Sequence, residues 1–273
     1  MKRIITLPSF NGVAAGQTAT LDVPRTGTYH GLKLYYTESG SASIAEADIE
    51  GGINEIRLKV NGTTQRTMTP AQLFDLNRYV GKAFAASTLP IYFSEPWMRT
   101  AEGEDVLGWG MADVATFQIE VDILAAATSP GLTAKAIWEP VTRNMGTIEK
   151  WKRFTYSPAA AGTSNLSTLP KTDTYRAVHF FHENLTSAKA SVNSTNLWED
   201  LSIAQQTELL ADWGRTSQSG MYSIDFGMTN RVSDALPVID PATKQPVADL
   251  RFDVTVSAAD NITVLTRTLG PRD

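Results

Sequence analysis

The sequence contains no cysteine and only three histidines among its 273 residues. Without cysteine the chain has no disulfides, no thiolate metal ligands and no cysteine nucleophile. No apolar run approaches the roughly 18 residues of a membrane-spanning helix, and Pro8 ends the apolar start too early for a secretory signal. The net charge of −5 argues against a protein built mainly to bind nucleic acid. We therefore expect a soluble globular protein, long enough for two cores.

Recognisable catalytic motifs are also missing. The histidines are His30, His179 and His182. His179 and His182 are three apart on a predicted strand, so they point to opposite faces and cannot share a metal ion. Neither a G-x-S-x-G nucleophile motif nor a phosphate-binding glycine loop occurs. The sequence therefore predicts that the protein is not an enzyme.

An internal repeat is the strongest feature that is present. The segment beginning at Val13 aligns without a gap with the segment beginning at Ala159, at an offset of 146. Seven aligned pairs are identical: Ala14/Ala160, Ala15/Ala161, Gly16/Gly162, Pro24/Pro170, Thr26/Thr172, Thr28/Thr174 and Tyr29/Tyr175. The restart Trp151-Lys152-Arg153-Phe154 resembles the beginning Lys2-Arg3-Ile4. The repeat indicates a tandem duplication, with domains predicted at residues 1–140 and 141–273.

The repeat continues through one helix in each half. Thr69 and Gln72 have the spacing of a capping box, as do Ser202 and Gln205, 133 residues later. Alternating apolar residues recur 133 apart in Phe117–Ile123 and Leu250–Val256, which predicts half-buried strands. Most of each half consists of such short strands, separated by turns. We predict an all-β chain of two tandem eight-stranded jelly-roll β-sandwiches, each with one short helix; an immunoglobulin-like sandwich is the rival architecture.

The order of these features resembles a known family. Four of them are similar to the double-jelly-roll major capsid proteins of tailless, internal-membrane-containing icosahedral phages, of the corticovirus type. They are V-A-A-G at Val13 to Gly16, the later Thr28-Tyr29, the stretch Gly131-Leu132-Thr133-Ala134 and the basic restart at Lys152. The resemblance implies a virion protein made in the host cytoplasm. It also implies homotrimeric, pseudo-hexagonal capsomers that contact neighbouring capsomers, minor capsid proteins and the internal viral membrane.

Three groups of residues are candidates for contacts. Trp97 and Trp109 lie in a long predicted loop and are candidate interface residues, although tryptophans also pack in cores. The acids Glu46, Asp48, Glu50, Glu102, Glu104 and Asp105 lie in two predicted loops and are weak candidates for a structural Ca²⁺, the only cofactor considered. The alternative is that they are solvated acids that keep the surface soluble.

The third group is basic. Lys2, Arg3, Lys150, Lys152 and Arg153 flank the two strands that begin the halves. They are candidates to face anionic lipid headgroups, or else ordinary charges that flank strands. Two rival functions stay open at this point. One is a double-jelly-roll glycan hydrolase with paired carboxylates, and the other is a carbohydrate-binding module that uses exposed tryptophans.

Overall fold

A computed structural model describes residues 1–41, 43–98, 100–240 and 243–273, with the side chains of residues 101 and 102 left out. The chain forms two compact units. The first contains Met1–Arg78, Lys82–Trp151 and Gly270–Asp273, and the second contains Tyr79–Gly81 and Lys152–Leu269. Among the described residues, no helix has both the length and the apolar character needed to cross a membrane.

The first unit is a sandwich of two sheets. Its strands are β1 (Arg3–Thr6), β2 (Thr18–Asp22), β3 (Thr28–Glu38), β4 (Ile53–Val60), β5 (Thr63–Met68), β6 (Thr88–Tyr92), β7 (Trp109–Gly110), β8 (Phe117–Ile123) and β9 (Pro130–Glu139). The helices are α1 (Glu46–Gly52), α2 (Pro70–Tyr79) and α3 (Ala101–Asp105). One sheet has the order β1-β9-β3-β6, with β7 beside β3, and the other contains β5-β4-β8-β2.

The second unit repeats both sheet orders. Its strands are β11 (Gly162–Leu166), β12 (Thr174–Phe181), β13 (Leu185–Val192), β14 (Thr195–Ser202), β15 (Met221–Asp225), β16 (Leu250–Val256) and β17 (Ile262–Pro271), with helix α4 (Ile203–Asp212). Strand β10 (Thr147–Tyr156) changes unit after Trp151, and its later part lies beside β17 in the order β15-β12-β17-β10. The other sheet has the order β11-β16-β13-β14.

The strands form where apolar and polar residues alternate, as the sequence predicts. In β8 and β16 every second residue is buried, beginning with Phe117 and Leu250. Such alternation places one face of each strand in the core and leaves the other towards solvent. Each unit therefore has a core of its own, lined by the inner faces of its two sheets.

Turn and cap chemistry is repeated as well. Asn61 and Gly62 both have positive φ in the β4–β5 turn, and Asn193 and Ser194 do in the β13–β14 turn. Both predicted capping boxes form. Gln72 N donates to Thr69 Oγ1 at 3.2 Å before α2, and Ser202 and Gln205 exchange the same pair of bonds before α4.

The all-β fold class is confirmed, but the number of helices in the first unit is wrong. Residues 46–52, predicted as part of an exposed loop, form α1, where Ile49 is fully buried and its N–H donates to Ala45 O at 3.2 Å. The predicted loop from Ser94 to Asp113 contains α3 and β7. These short helices are stabilised by contacts with the sheet, because seven or fewer residues are too few for a stable isolated helix.

Candidate functional site

Strands β3 and β12 carry an extra residue at the same place. The register of β3 against β9 shifts between Tyr29 and Gly31, and the register of β12 against β17 shifts between Tyr175 and Ala177. Such a bulge re-aims the inserted side chain. In the first unit the inserted residue is His30, and in the second it is Arg176. Both side chains are buried.

His30 lies among polar and charged groups. Its Nδ1 is 2.5 Å from Ser94 Oγ and 3.3 Å from Asp105 Oδ1, whereas Nε2 is 3.4 Å from Glu139 Oε2. Burial lowers the pKa of His30, Asp105 and Glu139 act to raise it, and Lys2 acts to lower it. The loss of hydration outweighs the two carboxylates, so the neutral imidazole is favoured.

A pocket opens beside this cluster. It encloses about 440 Å³, including space open to solvent, and its lining residues are Lys2, His30, Tyr92, Ser94, Pro96, Glu104, Asp105 and Ile137. Lys2 Nζ is 2.5 Å from Asp105 Oδ1, and the N-terminal amine is 3.3 Å from Glu139 Oε1. Lys2 and the N-terminal amine are therefore each paired with a carboxylate of the same chain.

The chemical capacity of this cluster is limited. A catalytic serine needs a histidine that a carboxylate orients through its second ring nitrogen. His30 Nε2 makes no well-formed hydrogen bond, and the Ser94 side chain is buried. The arrangement therefore fits an internal polar contact that fixes the bulge to α3 and β9 better than it fits a nucleophile.

The first acidic group lies on a helix and not in a loop. Glu46 accepts two bonds from Arg78 Nη1, at 2.6 and 2.7 Å, and Arg78 also pairs with Asp75. Burial raises the pKa of Glu50, helped by Glu46 and Asp75. Asp48 lies midway between Glu46 and Glu50 on the helix, so its side chain points away from both.

The second acidic group is equally dispersed. Asp105 pairs with Lys2, and the Glu104 backbone oxygen accepts from Glu95 N at 2.8 Å. The Glu102 side chain is outside the described part of the structure. Among the described residues, no three acidic or histidine side chains come together in a way that could hold a metal ion. The calcium hypothesis stays a prediction, which the melting temperature with and without a chelator tests.

The basic candidates have different environments. Lys150 is only 2% exposed and its Nζ is 2.7 Å from Asp273 Oδ1, so the prediction that it faces lipid is wrong. Arg3 is exposed, and Lys2 is exposed but paired with Asp105. Lys152 and Arg153 are half-buried. The sequence could not reveal the burial of Lys150, because its partner is 123 residues away.

The two candidate tryptophans also have different environments. Trp109 is fully buried and stacks on Phe93 with ring centroids 4.2 Å apart, so it cannot contact a partner and that prediction is wrong. Trp97 is partly exposed and meets Tyr92 edge to face at 5.5 Å. Lys82 Nζ lies 5.7 Å from the centre of the Trp97 ring. Trp97 therefore stays a candidate for interface contacts.

Sequence reasoning missed the uncovered edge of β14. Strand β14 is the last strand of its sheet, and no described strand pairs with its second edge. Six of its eight residues are exposed, and only Trp198 is buried. The equivalent strand β5 is covered, because Trp151 of β10 pairs with Arg66 in a parallel arrangement. The weak apolar alternation of Thr195–Ser202 was the available sequence signal.

Comparisons with known proteins cover almost the whole chain. The family model described as the viral coat protein P2 N-terminal domain matches residues 4–141, and the model of the P2 C-terminal domain matches residues 148–271. The chain is 23% identical over 284 residues to the major capsid protein P2 of Pseudoalteromonas phage PM2. That alignment covers 99% of this chain and 97% of the relative.

Solved structures show the same fold. The crystal structure of the major capsid protein P2 from bacteriophage PM2 matches with a TM-score of 0.89 and 21% identity, covering 100% of this chain and 98% of the other. The crystal structure of the STIV major capsid protein matches with a TM-score of 0.68 and 14% identity, covering 98% and 96%. These matches confirm the prediction of two tandem jelly rolls.

Proposed function

The chain belongs to the viral coat protein P2 family, and from that premise we propose that it is a major capsid protein, located in the shell of a virion. The observation that carries this proposal is the pair of family matches, one for each unit and together almost the full length. The alignment with the PM2 protein spans both units of this chain.

We propose further that the shell is built from trimers. Three chains with two similar units each supply six similar units around one axis, and a hexagonal ring of this kind tiles an icosahedral surface. Ring closure requires heterologous contacts, in which different surfaces of neighbouring copies meet. The repeated sheet orders of the two units support this arrangement.

The same proposal makes the protein structural and not enzymatic. Its relatives are coat proteins, and the polar cluster around His30 lacks an oriented catalytic histidine. A glycan hydrolase with paired carboxylates and a carbohydrate-binding module are therefore both less well supported than a shell protein. Glycan hydrolysis by the purified chain, lost on substitution of one carboxylate, would overturn this part of the proposal.

Light scattering during size exclusion tests the trimer. We expect a mass three times the 29.7 kDa of one chain, and hexagonal outlines in negative-stain images. A species that keeps the mass of one chain at every concentration would contradict the proposal.

Contacts with minor capsid proteins and with an internal membrane are the finer part of the proposal. Partly exposed Lys152 and Arg153 support a membrane contact, because each basic group near an anionic surface contributes about 1 kcal/mol. Flotation with vesicles that contain or lack anionic lipid tests this. Equal recovery from both kinds of vesicle would remove the electrostatic contact.

A further inference from the structure

We propose that Lys33 and Lys135, on the exposed face of the first sheet, bind Glu208 and Asp212 on helix α4 of a second copy of this chain. This inference rests on the proposed shell function and deepens it, because it names two surfaces through which the copies of a trimer join. The two surfaces differ, so their contact is of the heterologous kind that closes a ring.

The two lysines lie directly opposite each other on neighbouring strands. Lys33 of β3 is in register with Lys135 of β9. The next residues across the sheet are Thr6 on β1 and Pro90 on β6, so this row holds two cations and no carboxylate. The Cβ atoms of such a pair lie about 4.5–5.5 Å apart, and like charges there destabilise the sheet. An anionic group bound beside both ammonium groups would remove this repulsion.

This face of the sheet is open to a partner. Both lysine side chains are exposed, and neither forms an ion pair with any residue that the structure describes. Lys135 Nζ lies 5.5 Å from the centre of the Tyr35 ring. Ile4 is 76% exposed on the same face, opposite Ile137 and two positions along β1 from the row of the lysines. The surface therefore combines charge with apolar area, as protein interfaces do.

The second unit has no such charge at the equivalent position. The repeat offset of 146 matches Lys33 with His179. His179 is fully buried, and its Nδ1 is 2.8 Å from Ser223 Oγ. The architecture that the two units share therefore does not require an exposed lysine here, which favours a role for Lys33 at the surface of the first unit.

Helix α4 carries the complementary charges. Glu208 and Asp212 are one turn apart and exposed. Like charges at this spacing destabilise a helix. Asp212 also lies in the last turn, where the helix dipole disfavours an acid and where α4 has no basic residue. Within the described part of the chain neither acid has an ion-pair partner.

Helix α2 shows how the chain neutralises an acid at the same place. The offset of 133 that aligns the two capping boxes places Asp75 at the position of Glu208, and Arg78 at the position of Ala211. Arg78 Nη2 donates to Asp75 Oδ1 at 2.6 Å. Alanine at position 211 cannot do the same for Glu208. The cation that balances the acids of α4 is therefore left to come from another surface.

The spacings of the two pairs agree. The lysines arise from Cβ atoms about 5 Å apart, and the carboxylates arise from Cβ atoms about 5–6 Å apart. Two ion pairs can therefore form side by side, and each surface relieves the repulsion within the other. Every copy carries both surfaces, so each copy in a ring can offer its lysines to one neighbour and its α4 to the other.

Chemical cross-linking of the wild-type protein tests the contact. Unlabelled and heavy-nitrogen-labelled chains are mixed under dissociating conditions, reassembled and treated with a carbodiimide, which joins a lysine amine to a carboxylate in contact as an amide. We expect peptides that join Lys33 or Lys135 of one label to Glu208 or Asp212 of the other. The control variant, Lys33→Arg with Lys135→Arg, keeps both charges without the amines and should assemble without these peptides.

The outcomes separate this contact from the shell function. Wild-type trimers that yield none of these peptides would reject the contact and leave the shell function intact. Peptides that always carry a single label would place the contact within one chain and would also reject it. A wild-type protein that stays monomeric would reject the shell function, and the contact with it.

Charge exchange supplies the second measurement. Lys33→Glu with Lys135→Glu should raise the concentration at which trimers half-dissociate about tenfold. Adding Glu208→Lys and Asp212→Lys to the same chain should restore it, and failure of this restoration would overturn the proposal. So would a Lys33→Glu and Lys135→Glu variant that keeps its trimer but loses binding to anionic vesicles, because the lysines would then bind lipid.

The matched control reverses two other exposed acids of the second unit. Glu183 and Asp260 lie in loops and form no ion pair with the described residues. Glu183→Lys with Asp260→Lys should leave the half-dissociation concentration unchanged. A tenfold rise in this control as well would mean that net charge governs assembly, and would overturn the specific contact.

Discussion

The two units share a hydrogen bond from a tyrosine to the backbone, and they differ in the side chain that is buried at one equivalent position of the sheet. Tyr29 Oη donates to Pro24 O and Tyr175 Oη to Pro170 O, each at 2.6 Å. At the position opposite Leu58, however, the first unit buries Arg66, and opposite Ala190 the second unit buries Trp198.

This difference follows from the covered edge. Arg66 donates to Glu149 O at 2.8 Å and to Tyr92 O at 2.6 Å, and its guanidinium lies over the rings of Phe93, Trp109 and Trp151. Two of these partners, Glu149 and Trp151, are supplied by β10. The second unit lacks a described strand at that edge and has an apolar ring at the position of the arginine. The two units therefore have the same turns and helix caps, whereas the buried side chain at this edge differs with the strand that covers it.

The Arg66→Ala substitution has the largest expected effect in this comparison. Glu149 Oε2, 3.4 Å from Arg66 Nη2, would stay buried after losing that guanidinium. We expect a loss of about 3–5 kcal/mol in the free energy of unfolding. Urea titration measures the loss, and hydrogen exchange should locate it in β4 and β5. The exposed Arg25→Ala is the control, expected within about 0.5 kcal/mol of wild type; a similar small change for Arg66→Ala would show that the buried contact contributes nothing.

The tyrosine hydrogen bond that both units contain gives the next test. Tyr29→Phe and Tyr175→Phe remove the same hydrogen bond from each unit, and each should lower the free energy of unfolding by about 1 kcal/mol. Burial raises the pKa of Tyr29 to about 12 and raises that of Tyr175 as well, so both hydroxyls donate throughout the neutral range. Losses that differ more than about twofold would break the equivalence of the two units at this corner.

Helix caps provide a second matched pair. Thr69→Ala and Ser202→Ala each remove the side-chain oxygen that accepts from the third helical residue. Each should cost about 1 kcal/mol, measured by urea titration with hydrogen exchange in α2 and α4. Thr195→Ala, exposed on β14 and outside any cap, is the control. A loss of stability in only one helix would mean that the capping box does not stabilise the other helix.

The smallest expected effect concerns the bulges. The pKa of His30 is lowered from an ordinary value of 6.5, so the unfolded chain binds a proton more readily than the folded chain. The free energy of unfolding should therefore fall as the pH drops from about 7.5 to 5.5. For the His30→Gln variant it should fall less steeply over the same range. Thermal melts at several pH values measure the difference. Identical slopes would show that His30 does not couple to folding.

Much of the fold follows from short-range patterns. The capping boxes at Thr69 and Ser202, the turn at Asn61-Gly62 and the alternation of Phe117–Ile123 are all local, and each has the structure that its sequence predicts. Their repetition at fixed offsets also indicated the two similar units.

The errors concern contacts between residues far apart in the chain. Trp109 is buried because Phe93 stacks on it, and Lys150 is buried beside Asp273. Helix α1 has two glycines among its seven residues, so its own sequence favours a loop until Ile49 packs into the core. The open edge of β14 depends on which strand lies beside it, and the weak apolar alternation of Thr195–Ser202 does not identify that strand.

A cryo-electron microscopy map of the self-assembled protein tests the central claim most directly. The account predicts three chains around one axis, which together supply six similar units to one ring. Copies arranged as two-fold dimers, or chains that stay separate at every concentration, would contradict it.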